Sequence, residues 1–159
     1  MKNFKLPCYE IERNVMNRFF NFRKTLFRIN AAFLLLMGGV FMVLDYVGFR
    51  TGAGLMGEIL HGNVLAVGMQ EAHGLAFLFG LVVLIFAVPD MRPAWHLICV
   101  SIHVLLGGSN LLYWDGAVEY GIVGPEIVVT SIHGLLILLH LASYFLVRND
   151  AGYRKQPAW

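Results

Sequence analysis

The sequence predicts an all-α fold, a polytopic membrane protein built as a bundle of four transmembrane helices. Three observations lead there. Of its 159 residues 58% are hydrophobic and 14% charged, with a mean hydropathy of +0.66, far from the balance of a soluble domain. Four apolar runs, roughly 31–49, 64–88, 94–114 and 126–147, are each long enough to cross a hydrocarbon core of about 30 Å at about 1.5 Å per residue. The basic residues, finally, sort to one side. Lys2, Lys5, Arg13, Arg18, Arg23, Lys24 and Arg28 precede the first run, Arg92 lies between the second and third, and Arg148, Arg154 and Lys155 follow the fourth. Only Arg50 falls on the opposite side, so the positive-inside rule places both termini in the cytoplasm of a cell with the chain in its inner membrane.

Taken in order, residues 1–29 form a basic cytoplasmic arm. Ile11, Val15, Phe19, Phe22 and Leu26 recur at three- and four-residue steps among the basic residues, which fits a helix lying on the inner leaflet; a solvated arm that only sets topology is the alternative. The first span reads as an uncleaved anchor, because its charged region is long and no small-x-small site precedes Asp45 and Tyr46. Asp45 falls near the outer interface. In the second span, Gly68, Ala72, Ala76 and Gly80 make a small-residue stripe suited to close helix contact, as do Gly38 and Gly39 in the first. Glu71 and His73 flank Ala72 about 200° apart, so they serve different faces; Glu71, inside its span, needs a hydrogen bond or a wet cavity. Asn63 is placed to cap the second span, and Pro93 and Pro125 suit the first turns of the third and fourth. Trp95, Tyr113 and Trp114 belong at membrane interfaces. The bundle covers 30–148, and 149–159 is a cytoplasmic tail. Cys8 and Cys99 form no Cys-x-x-Cys pair, which argues against a disulfide or thiol-redox site. The net charge of +2 is a topology signal and implies no nucleic-acid binding.

Chemistry concentrates in two polar seams. His96, His103 and Asn110 repeat every seven residues in the third span, and Glu126, His133 and His140 in the fourth. Seven residues bring a helix almost back to the same face, with about 20° of drift. The two spans run antiparallel, so the seams can meet as rungs: Asn110 with Glu126, His103 with His133, His96 with His140. Ionisable groups at membrane depth are costly and mark functional sites by default. His73, His103 and His133 fall in a layer roughly 10–17 Å below the outer face, counted along the helices. His61 reads as an interfacial loop residue.

The histidines admit three readings, of which a redox cofactor, b haem ahead of a metal ion or quinone, comes first. In the first they hold a redox cofactor: a b-type haem, a transition metal or a quinone, since imidazole ligates iron, copper and zinc. His73 and His133, on parallel spans and each followed by Gly-Leu, are the preferred haem ligands, with His103 joining them in a metal site. In the second, Glu126, His133 and His140, with His96, Asn110 and Glu71 as further polar groups, form a proton path, because imidazole both donates and accepts hydrogen bonds. In the third, the histidines only fix helix register. No nucleophile-base-orienter set or metalloprotease motif points to a stand-alone enzyme.

The four-span layout with both ends inside, together with Glu71-Ala-His-Gly-Leu-Ala-Phe-Leu-Phe-Gly80, resembles the DoxX-like group of small bacterial membrane proteins. The likeness covers roughly residues 31–147. It implies an accessory membrane role, beside redox subunits or as a homo-oligomer, with no fixed catalytic set and, for a pure scaffold, no cofactor.

Overall fold

The computed structural model describes residues 6–54 and 56–148, with side chains from residue 14 onward. The tail 149–159, Lys2 and Lys5, and the side chains of Cys8, Ile11 and Arg13 lie outside the described residues. The described chain is helical in the order α1 (Leu6–Thr51), α2 (Gly57–Leu60), α3 (Leu65–Val82), a π-helical turn (Val83–Ala87), α4 (Val88–Asp90), α5 (Pro93–Leu112), α6 (Trp114–Glu119) and α7 (Val123–Arg148). Four helices among the described residues are long and apolar enough to cross a membrane: 14–51, 65–90, 93–112 and 123–148. These contain the four expected apolar runs, save for a residue or two at the ends of the second and third.

α1 is 46 residues long. The helix runs without a break from the expected basic arm into the first span, and Arg23 and Leu26 on it are buried. Nothing between 6 and 51 supplies a proline after Pro7 or a capping turn, so the helix has no signal to stop. The start of α3 is marked as expected, Asn63 Oδ1 accepting from the Leu65 N–H at 3.0 Å. Near the end of the second span the π-helical turn ends at Ala87, two residues before Pro89. Proline has no N–H to return to the preceding turn, and a widened turn is a common accommodation within a helix. Pro93 then opens α5 in its first turn, where a missing N–H costs nothing.

The described residues fall into two compact units, one of residues 27–90 and one of the residues before 27 and after 90. In the first unit α1 and α3 cross closely. A Cβ on Gly38 would stand 2.5 Å from Phe77 N and 2.6 Å from the His73 carbonyl, and one on Gly80 2.9 Å from Leu35 N, so glycine alone permits this approach. The contact face of α3 runs through Ala66, His73, Ala76 and Gly80 rather than along the whole small-residue stripe. Gly68 and Ala72 are exposed.

In the second unit α5 packs chiefly on α7. The buried positions of α7 are His133, Leu136, His140, Ser143 and Val147, alternating steps of three and four as in a coiled-coil seam. On α5 they are His96, Cys99, Ile102, His103 and Gly107. The outer faces of these helices carry exposed Val104, Leu105, Leu138 and Leu146. Apolar side chains outside and imidazoles inside suit a lipid surround.

Candidate functional site

The seam between α5 and α7 brings two histidine pairs together. His103 Nδ1 and His133 Nδ1 lie 2.8 Å apart, and His96 Nδ1 and His140 Nδ1 also 2.8 Å. The rings repeat the same geometry, with centroids 5.0 Å apart at 47° in one pair and 5.1 Å at 52° in the other. The heptad spacing explains the repetition: the same two helix faces meet again after two turns. His96, His103 and His140 are fully buried and His133 is 5% exposed. A Cβ on Gly107 would come within 2.9 Å of His133 Cβ, so this glycine sets the helix separation at which the imidazoles touch.

A hydrogen bond between two ring nitrogens needs one donor and one acceptor, so each pair must hold two different protonation patterns. Between the two rungs stand Cys99 on α5 and Leu136 on α7, both buried. Beyond the His96–His140 rung, the inner rung of the expected topology, two further polar groups are buried. Arg23, in the first half of α1, is 5% exposed; its Nε donates to His96 Nε2 at 3.1 Å, and its Nη2 donates to the Met91 carbonyl. Met91, which joins α4 to α5, has a φ of 54°, uncommon for a residue with a side chain. Ser143, one turn beyond His140, is buried, and its hydroxyl has no hydrogen-bond partner among the described residues. By contrast Ser101 and Ser109 return their hydroxyls to the carbonyls of Leu97 and Leu105.

At the other end of the seam the expected third rung is displaced. Asn110 donates to Thr130 Oγ1 at 3.2 Å, one turn further along α7 than Glu126. Glu126 is half-buried in the first turn of α7, where the helix dipole favours a carboxylate. Glu71 is exposed on α3, and so is His61 after α2.

His73 lies in the other unit and has its own partner. Its Nδ1 is 2.6 Å from Asp45 Oδ2, with the histidine side chain 25% and the aspartate 3% exposed. Phe41, one turn before Asp45 on α1, stacks on the imidazole at 5.2 Å and 27°. An ionised carboxylate only accepts, so the hydrogen of this bond sits on Nδ1, and Nε2 faces away from the carboxylate. Asp45, read from sequence as interfacial, is thus a buried partner of His73, which its position in the span did not reveal.

These positions bear on what the site can hold. The expected set of His73, His103 and His133 is divided between the two units. Among the described residues no group of three or more His, Cys, Asp or Glu side chains is placed to hold a metal ion. One metal bonded at about 2.0 Å to both nitrogens of a rung, which lie 2.8 Å apart, would hold them at an angle of about 90°, tighter than the tetrahedral angle of a structural zinc site. No protein-family model, no curated protein and no solved structure matches the chain, and the likeness to the DoxX-like group rests on its span layout and the short α3 segment alone.

Proposed function

We propose that this four-span membrane protein carries protons within the membrane along the α5–α7 histidine seam. The observation that carries the reading is the pair of buried imidazole rungs, each closed by a 2.8 Å bond between Nδ1 atoms. An imidazole takes a proton on one nitrogen and releases the one on the other, so a bonded pair hands a proton from ring to ring without moving a side chain. Two features extend the rungs into a path. Cys99 lies between them, and a thiol is a weak donor and acceptor. The Ser143 hydroxyl, without a partner among the described residues, has room in its bonding for a water at this end of the seam.

Reconstituted in liposomes under an imposed pH gradient, the parent protein is expected to move protons. His140→Ala and His103→Ala are expected to reduce that flux to the level of empty liposomes while remaining folded. No flux in the parent, or an undiminished flux in both variants, refutes the relay and leaves the imidazoles a role in helix register.

A second reading, a redox cofactor at His73, is favoured by Asp45. Ligating histidines commonly give their other N–H to a carboxylate, which orients the ring and strengthens it as a donor. His73 has that arrangement, with Nε2 available to a haem iron or a transition metal. Protein purified from cells supplied with haem precursors is then expected to show a Soret band that His73→Ala removes. A colourless preparation that also binds no added haem or metal rejects it.

A further inference from the structure

We infer that Arg23 is a positioning residue for the histidine seam: its guanidinium fixes the inner rung in one tautomer, His96 as the Nδ1–H form and His140 as the Nε2–H form. The inference deepens the relay reading, whose site it regulates, but its first test does not depend on proton flux.

A guanidinium keeps all its N–H groups and can only donate. Arg23 Nε–H points at His96 Nε2 from 3.1 Å, so that nitrogen must be bare to accept. The hydrogen of His96 then sits on Nδ1. From there it points at His140 Nδ1, 2.8 Å away, which must in turn be bare, leaving the hydrogen of His140 on Nε2. One donor-only group thereby sets the polarity of two successive hydrogen bonds: Arg23 to His96, His96 to His140. The guanidinium is itself anchored, since Nη2 donates to the Met91 carbonyl, and it is buried, so solvent does not compete for Nε. Nothing in the sequence ties Arg23 to His96, 73 residues away.

A functional consequence follows for a relay. For a proton to pass through this rung, the hydrogen on His96 must be able to change from one nitrogen to the other. The Arg23 Nε–H occupies the nitrogen that would receive it, and arginine does not give up its own proton. The inner rung therefore turns over only while the Arg23–His96 bond is open, and the guanidinium returns the pair to the same polarity each time it closes.

The test is nitrogen NMR of the full chain, labelled with 15N-histidine, in lipid nanodiscs. His96 is expected to show a bare Nε2 and a protonated Nδ1. A coupling across the hydrogen bond is expected to join that Nδ1 to His140 Nδ1, with the hydrogen on the His96 side. A protonated Nε2 on His96, or the hydrogen on the His140 side, overturns the inference, and neither observation requires a variant. In Arg23→Met, which keeps the length of the side chain without its donors, the preference of His96 for one tautomer is expected to fall by about tenfold or more, the scale of a hydrogen bond to a charged group. An unchanged tautomer in a folded Arg23→Met protein also overturns it. Proton flux separates the two proposals. A rise above the parent in Arg23→Met supports both. A tautomer released without any flux in either protein retains the positioning role of Arg23 and rejects the relay.

Discussion

Gly107 is where a single atom decides whether the seam exists. An added Cβ would sit 2.9 Å from His133 Cβ, and neither atom is the flexible end of a side chain. Gly107→Ala is expected to force α5 and α7 apart and to lower stability by about 1–3 kcal/mol, the usual cost of overpacking. Thermal unfolding in detergent measures it, and an unchanged midpoint would show that the helices can separate freely. Asp45 makes a comparable single-residue test in the other unit. Asp45→Asn keeps an acceptor for the His73 Nδ1–H, whereas Asp45→Ala leaves that donor without one. The alanine variant is expected to be less stable than the asparagine variant by about 1–3 kcal/mol. Equal stability of the two would mean that the hydrogen bond contributes nothing to the fold.

At the level of elements, the α5–α7 pair behaves as a coiled-coil seam in which some core positions are polar. The residue triplets Ser101-Ile-His103 and Ser131-Ile-His133 are identical, and the antiparallel helices bring the two histidines onto one rung. The coupling between His103 and His133 is open to a double-mutant cycle with alanine at each position. Hydrogen bonds between membrane helices average about 0.6 kcal/mol and rarely exceed about 2, so a coupling in that range is expected from unfolding free energies; a value of zero would mean the rings do not bond. Cys99 tests the step between the rungs. Cys99→Ser retains a hydroxyl that donates and accepts, and Cys99→Val fills the same space without one. Flux is expected to survive the first change and to fall in the second, and equal flux in both would remove Cys99 from the path. The heptad spacing of the histidines, and hence their rungs, was legible in the sequence because a seven-residue step keeps a residue on one helix face. The partner of Asn110 was not: a rung register drawn with straight helices cannot say that its amide reaches Thr130 instead of Glu126.

For the molecule as a whole, the distribution of basic residues carries a forecast about topology. Single cysteines at Thr51 and Asp115, in a background lacking Cys8 and Cys99, are expected to react with an impermeant thiol reagent on intact cells. A cysteine at Arg92 is expected to react only after the membrane is opened, and the reverse pattern would invert the proposed orientation. Composition and periodicity by themselves determined that the chain is helical, that four of its segments suit a bilayer, and that the histidines of the third and fourth spans share faces. Each of these depends on residues close in sequence, where burial of apolar side chains and the turn of a helix are the governing terms. Which side chains meet was decided only by tertiary packing. Arg23, in a segment that reads as a basic arm, and Asp45, in one that reads as an interface, become buried partners of His96 and His73. Those contacts join residues far apart in the chain, and a buried charge or donor takes whichever partner the packed helices bring within hydrogen-bond distance.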